Sequence, residues 1–467
     1  MIDTEALRKK VIDLAIQGKL TEQLPSDGDA ETLYAQILDQ KSQLIKEGKI
    51  KKDKELPGIT ADEIPFKVPE NWKWVHMGDI FDHNTGKALN NSDKEGTKLE
   101  YITTSNMYWD HFELDGLKSM FFKESEIEKC TIRKGDLLIC EGGDIGRSAI
   151  WNFDYEMRIQ NHIHKLRGYA GIDHRFYFYL MRNYKDSGMI DGRGIGLQGF
   201  SSKRVHSLVV PLAPLAEQIR IADKLEEVLA QIDIIDNLQT KYSNDLAVLK
   251  NKIIDAGIRG KLTEQLPKDG TAEDLYVQIQ EEKAKLVKEG KIKKEKPLSD
   301  ITEDEIPFEI PKNWKWVRLS SISDSIWAGG DKPSDYTKER DVNHTVPVVA
   351  NGVSDEGVLG YTSEANAKKN TLTVAGRGTI GYTVLRKYDY CPIVRLVVVE
   401  PSRYVEPSYL CYVLKALPAG SVGSSIPQLT VPMIRPKMIP LPPLSEQKRI
   451  VKKLEEVLES EVFICEQ

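Results

Sequence analysis

Between about Ala216 and Ala256 the chain has neither Pro nor Gly, and its apolar residues recur at steps of three and four: Ile221, Leu225, Val228, Ile232, Ile235, Leu238, Tyr242, Leu246, Leu249 and Ile253. That spacing predicts a single helix of roughly 40 residues, about 60 Å long, with a narrow apolar seam suited to another helix. Two shorter amphipathic helices are expected over Ala30 to Glu47 and Ala272 to Glu289, each closed by a glycine, Gly48 or Gly290, at the C-cap. Elsewhere the period changes. GDLLICEGGDIGRSAIW (Gly135 to Trp151) and NTLTVAGRGTIGYTVL (Asn370 to Leu385) place β-rich runs on both sides of a Gly-rich turn, which predicts strand, tight turn, strand. Helices are expected after each, at His174 to Tyr184 and Ser408 to Ala416, followed by the Gly-rich stretches GRGIGLQGFSSKR and GSVGSSIPQLT.

These elements come in duplicate. GKLTEQLP at Gly18 to Pro25 returns at Gly260 to Pro267, and the match runs on through EGKIKK, DEIPF and NWKWV to Val75 and Val317, an offset of 242 residues. PLAPLAEQIRIADKLEEVL from Pro211 returns as PLPPLSEQKRIVKKLEEVL from Pro440, an offset of 229, so the segment between is 13 residues shorter the second time. A period this long exceeds the roughly 20 to 50 residues of solenoids, so each copy is a domain with its connector. Thr4 to Gln17 copies the second half of the long helix and the chain from Ser445 copies its first half; together they amount to a split second rod. The fold expected is α+β: two mixed α/β domains separated by long antiparallel, coiled-coil-like helices, in an internal pseudo-twofold repeat. The segments are 1–65 (helical), 66–210 (variable domain), 211–307 (helical, with the long helix), 308–440 (variable domain) and 441–467 (a helix pairing with the central one).

Composition narrows the class. The 467 residues are 40% hydrophobic, with no apolar run of 18 residues, and the N-terminus MIDTEALRKK lacks the apolar core of a signal peptide, so a cytoplasmic location is expected. Five cysteines without CxxC spacing read as reduced thiols. The net charge of −6 is uneven: Phe66 to Val210 carries 20 basic and 20 acidic residues, Phe308 to Pro440 carries 16 and 12, and the helical remainder 29 and 39. The acidity lies in the helical frame, which leaves the variable domains free to present positive faces to phosphate.

Candidate chemistry follows the glycines, because Gly-rich turns bring backbone amides close to phosphate and Arg147, Arg193, Lys203, Arg204 and Arg377 sit in or beside them. With Lys87, Lys332 and Gln428 they form the candidate DNA-contacting set. The bland alternative is that the glycines make hairpins and the basic residues solvate them. Trp72, Trp74, Trp314 and Trp316 read as packing anchors where the chain enters each domain, and the basic stretches KIKKDK and KIKKEK either as solvated linkers or as contacts with a partner subunit or with DNA flanks. Gly194, Gly196 and Gly199 spell GxGxxG, but a helix precedes and a strand follows, the reverse of a dinucleotide loop. No GxxxxGK(S/T), HExxH or (N/D)PP(Y/F) sequence is present, so no catalytic, cofactor or metal site is expected on this chain.

The ordered set, PFxVP or PFxIP with NWKWV leading into each variable domain, a GxIG turn within it (Gly143 to Gly146; Gly378 to Gly381) and PLxPLxEQxRI leading out, resembles the specificity subunit of type I restriction-modification systems along essentially the whole chain. The resemblance implies two target recognition domains, each reading one half of an interrupted, asymmetric double-stranded DNA site. It also implies two modification subunits carrying S-adenosylmethionine and the adenine methyltransferase site, and restriction subunits using ATP and Mg. Two other readings are a single-chain restriction and modification enzyme, which the missing motifs oppose, and a coiled-coil protein scaffold without DNA readout, which the repeated Gly-rich loops and the charge split oppose.

Overall fold

The computed structural model describes residues 1–467 except 53, 55, 91, 93, 191–198, 418–427 and 461–467. The chain divides into two compact units, Ile2–Gln239 and Thr240–Gln467 with Met1. Among the described residues no helix is long and apolar enough to cross a membrane.

In the first unit α1 (Thr4–Ile16) is N-capped by Asp3, and α2 (Ala30–Lys46) by Asp29, whose carboxylate accepts from the Thr32 amide. Two short helices, α3 (Met77–Ile80) and α4 (Glu124–Cys130), lie among the strands. Two four-stranded sheets follow. One is antiparallel, in the order Phe81–Thr85, Ile163–Gly168, Leu137–Cys140, Ser148–Ile150; the other runs Lys118–Phe122, Thr97–Ile102, Met157–Ile159, Thr131–Ile132. Strand Leu137–Cys140 is buried on both faces, and its residues alternate between two cores. Leu137 and Ile139 pack with Phe176 and Leu180 of α5 (His174–Asp186), while Leu138 and Cys140 pack with Ile102 and Ile159 of the other sheet. Each such side chain contributes about 1.5–3 kcal/mol on burial, so a one-residue slip of this strand would exchange both cores.

After α5 comes α6 (Ser202–His206), then strand Val209–Leu212, which pairs with Lys73–His76 in the register Trp74↔Pro211 and His76↔Val209. The strands leading into and out of the variable segment therefore close on each other. The long helix is α7 (Leu215–Ile258), 44 residues. Within the first unit α1 runs antiparallel to it: Arg8 pairs with Asp233, Thr4 bonds Asp236 at 2.9 Å, and the Ile2 amide reaches Gln239.

The second unit repeats this build. The last turns of α7 pack against α11 (Leu444–Leu458), where Ile254, Ile258, Ile450 and Leu454 share a core, as Ile12, Ile16, Ile221 and Leu225 do in the first. Helix α8 (Ala272–Lys288) precedes strand Lys315–Arg318, which pairs with Met438–Leu441. One sheet is four-stranded (Ser323–Ala328, Val397–Pro401, Thr371–Val374, Thr383–Arg386) and the other three-stranded (Val358–Thr362, Val346–Val349, Cys391–Pro392). The α9 helix (Pro407–Ala416) covers the first of these, and α10 (Val431–Ile434) precedes the last strand.

The repeated motifs meet at one buried carboxylate. Glu217, of PLAPLAEQ, accepts from Gln23 Nε2 at 2.6 Å and from Trp72 Nε1 at 2.9 Å, which brings GKLTEQLP, NWKWV and PLAPLAEQ to a single point. Glu446 does the same with Gln265 at 3.0 Å and Trp314 at 3.0 Å. Beside it the salt bridges Arg220–Asp27 and Arg449–Asp269 recur at 2.6 and 2.7 Å. Trp72 and Trp314 are thus buried anchors of the frame. Trp74 and Trp316 lie edge to face with Phe66 and Phe308, at 5.1 and 4.9 Å.

The sequence reading differs from the structure in two places. Leu238, Tyr242 and Leu249, expected within a continuous seam, are exposed. Helix α1 starts at Thr4, opposite Asp236, and the described part of the C-terminal helix ends at Leu458, so the described partner helices cover only the two ends of α7. And Lys203 and Arg204 do not stand in a Gly-rich loop: they belong to α6, a five-residue helix too short for apolar periodicity to announce.

Candidate nucleic-acid interface

In the first unit the turn after Cys140 is closed by Gly146 N–H to the Cys140 carbonyl at 3.0 Å, with Gly143 and Gly146 at φ of 72° and 81°. The second unit repeats it: Gly381 N–H to the Ala375 carbonyl at 2.9 Å, with Gly378 and Gly381 at 69° and 84°. These values lie in the left-handed region that favours glycine, which accounts for the GxIG signature.

Other loops are bonded to this turn. Phe200 N–H donates to the Glu141 carbonyl at 2.8 Å, and Glu141 N–H to the His162 carbonyl at 2.9 Å. In the second unit Leu429 N–H donates to the Gly376 carbonyl at 2.8 Å. Asn351 accepts the Gly376 amide at 2.7 Å and donates its own Nδ2 to the Val394 carbonyl at 2.9 Å. Each unit thus gathers several loops at one end of its sheets.

The second unit brings three of the candidate residues to this cluster. Arg377 is exposed in the turn, Gln428 is exposed one residue before Leu429, and Lys332 is exposed two residues after Gly330, whose carbonyl accepts from Val394 N–H at 2.9 Å. Lys332 Nζ stands 3.6 Å from the centroid of the Tyr336 ring, and Tyr336 hydroxyl donates to the Leu359 carbonyl at 2.6 Å. The segment between them is fixed by Asp335, which accepts from Ser363 and Thr362; these bonds hold its carboxyl well below the usual carboxylate range. In the first unit Lys203 is exposed, while Arg204 lies over the Phe200 ring at 5.4 Å and donates to the Gly199 carbonyl at 3.4 Å.

Phe200 is anchored from below by histidines. His164 Nε2 meets the Phe200 carbonyl at 2.7 Å, and His83 Nε2 meets His164 Nδ1 at 3.0 Å. Burial, followed by the neighbouring His164, pushes His83 down to about 3, so this pair is neutral near pH 7. With the carbonyl demanding a donor, His164 carries its proton on Nε2 and accepts from His83 on Nδ1.

Two of the sequence candidates face inward. Lys87 Nζ is bonded to Glu126 at 2.7 Å with its side chain only 9% exposed, although its backbone joins the cluster through Asn161 N–H at 3.0 Å. Arg147 donates to the Thr104 carbonyl at 2.6 Å and lies over Tyr108 at 5.5 Å, which braces the loop around Thr104. Arg193 and the first two glycines of the GxGxxG sequence, Gly194 and Gly196, lie outside the described residues. Asn351, Val394 and Arg395 belong to the cluster and were not singled out from the sequence; only the NG pair at Asn351 carried a turn signal.

The model of the type I restriction modification DNA specificity domain matches twice, over residues 69–241 and 311–462. The EcoAI specificity subunit of a type I restriction enzyme from Escherichia coli is 26% identical, over 97% of this chain and 89% of that one. The EcoEI specificity subunit, also from Escherichia coli, is 29% identical over 69% of this chain and 62% of its own length. Among solved structures, the HsdS subunit from Thermoanaerobacter tengcongensis superposes with a TM-score of 0.52 at 20% identity, covering 85% of this chain and 91% of that one. A chain from a structure of the type I R-M system gives 0.58 at 20% identity, covering 86% and 93%, and these two establish the likeness of fold. The chain belongs to the type I restriction-modification DNA specificity family and carries the family's domain twice.

Proposed function

We propose that this chain is the DNA-reading subunit of a type I restriction-modification complex, with each unit recognising one half of an interrupted, asymmetric site. The observation that carries the reading is the contrast between frame and loops. The junction at Glu217 and its repeat at Glu446 share their Gln, Asn and Trp donors, whereas the turns of the loop clusters differ, with Gly142 and Asp144 in the first unit where the second has Arg377 and Thr379. Exposed cations at Lys203, Lys332 and Arg377 suit phosphate contacts, which set position and affinity without specifying sequence. Side chains that differ between the clusters are what base readout requires, each good contact adding ~1–3 kcal/mol of discrimination.

In this reading chemistry belongs to separate subunits: two modification subunits that supply S-adenosylmethionine and adenine methylation, and restriction subunits that use ATP and Mg. The complex works in the cytoplasm of a bacterium or archaeon. The test is selection from a pool of randomised duplexes by the chain co-purified with its modification subunit. Enrichment of one bipartite, non-palindromic sequence with a fixed gap is expected. Enrichment of nothing, the outcome for a protein-binding scaffold, overturns the reading.

A further inference from the structure

From Cys391 to Pro401 the chain reads CPIVRLVVVEP, an apolar, β-branched run with the pattern of one strand. The fold breaks it in two. Cys391–Pro392 pairs in parallel with Val348–Val349, whereas Val397–Pro401 pairs antiparallel with Ser323–Ala328 in the other sheet. Between them Val394 and Arg395 stand at φ of 54° and 58°. The left-handed region is one that branched side chains avoid, and L residues visit it singly, so two in succession need to be held there.

They are held from several sides. Val394 N–H donates to the Gly330 carbonyl at 2.9 Å, Arg395 N–H to the Gly329 carbonyl at 3.1 Å, and Asn351 Nδ2 grips the Val394 carbonyl at 2.9 Å. The close approach depends on Gly329, where a Cβ would fall 2.6 Å from the Pro392 backbone. The result is to turn both side chains outward: Val394 is 47% exposed, and Arg395 is exposed with no side-chain partner among the described residues. Packing gains nothing from an exposed valine in this conformation. Strain that the surroundings enforce without a packing return points to a function at that spot.

The location gives the function its chemistry. The Asn351 amide that holds Val394 also holds Gly376, the residue before Arg377, and Gly376 in turn accepts from Leu429, the residue after Gln428. The first unit places a turn at the corresponding point with other side chains and without the left-handed backbone, since neither Asn161 nor His162 has a positive φ: Asn161 N–H donates to the Lys87 carbonyl as Val394 does to Gly330, and Ile163 N–H to the Gln160 carbonyl as Leu396 does to Ile393. Asn161 and His162 thus take the places of Val394 and Arg395.

Resting on the reading of this chain as a DNA-recognition subunit, we infer that Val394–Arg395 is a base-reading turn of the second domain. Arg395 takes a guanine through O6 and N7, and Val394 packs on the methyl group of a neighbouring thymine. Asn161–His162 holds the corresponding place in the first domain, and Lys332 and Arg377 flank the turn on phosphates.

The test is selection from randomised duplexes by the chain co-purified with its modification subunit, comparing wild type, Arg395→Ala, Val394→Gly and Arg377→Ala. Glycine adopts positive φ freely, so Val394→Gly keeps the turn and removes only the side chain. Arg395→Ala is expected to lower the preference for guanine at one position of one half-site about tenfold, with the gap and the other half unchanged. Val394→Gly should weaken a thymine preference next to it, and Arg377→Ala should weaken all sequences alike. A wild type that enriches no interrupted motif overturns the DNA-subunit reading and this inference with it. A wild type that enriches one, beside Arg395→Ala and Val394→Gly variants with an identical motif, overturns the inference alone.

Discussion

The indole N–H of Trp72 donates to the buried carboxylate of Glu217 at 2.9 Å, across 145 residues of chain. Everything variable in the first unit lies between these two residues. The bond fixes both ends of the insert to one point of the frame, and Trp314 with Glu446 does the same for the second.

Replacing Glu217 by Leu leaves the buried Trp72 indole N–H unpaired, at about 1–3 kcal/mol, and leaves Gln23 Nε2 with only its bond to the Gly18 carbonyl. The loss should be local. Hydrogen exchange is expected to quicken in Ala30–Lys46 and Lys73–His76 while Ala272–Lys288 keeps its protection, with the mirror result for Glu446→Leu. Equal loss in both units would refute the junction as an independent clamp for each domain.

Acid should weaken the frame in a defined window. Asp27 and Asp269 are held below their ordinary value of 3.8 chiefly by hydrogen bonds from Arg220 and Arg449. A carboxylate with a lowered folded pKa stabilises fully above its unfolded value, and that contribution disappears as the pH falls through the folded one. Wild type should therefore be more stable than the Arg220→Met, Arg449→Met double variant at pH 7, with the gap closing below about pH 4. Denaturant unfolding at pH 7 and pH 3 measures it; a gap equally wide at both pH values contradicts the ion pairs.

Arg377→Ala removes an exposed cation from the recognition-domain turn. Affinity for DNA should drop on cognate and unrelated duplexes alike, and the slope of log K against log salt should shrink by about one unit. An unchanged slope would return Arg377 to the solvated surface.

The purified chain alone should neither cleave DNA nor transfer methyl groups from S-adenosylmethionine. Labelled methyl transfer with and without a modification subunit checks this, and turnover by the isolated chain would sink the division of labour.

Much of this architecture was legible because it is local or duplicated. A stretch without Pro or Gly and with steps of three and four gave α7, Gly-rich turns between β-rich runs gave both hairpins, and the two offsets gave two units. What was hidden depends on contacts distant in sequence. Lys87 reads as a free cation until Glu126 is brought to it, and Leu238 carries the same period as Leu225 although only the latter is covered. Val394 and Arg395 were the hardest to see, because β-branched residues argue for a strand and only the flanking strands, by joining different sheets, force the turn.

The central claim is that two separable modules each read half a site. Its most direct measurement is the methylome of cells carrying the modification subunit and a chimaera in which Phe66 to Val210 comes from a relative. One half of the methylated sequence should change while the other half and the gap stay as in wild type. Changes in both halves, or in neither, would contradict it.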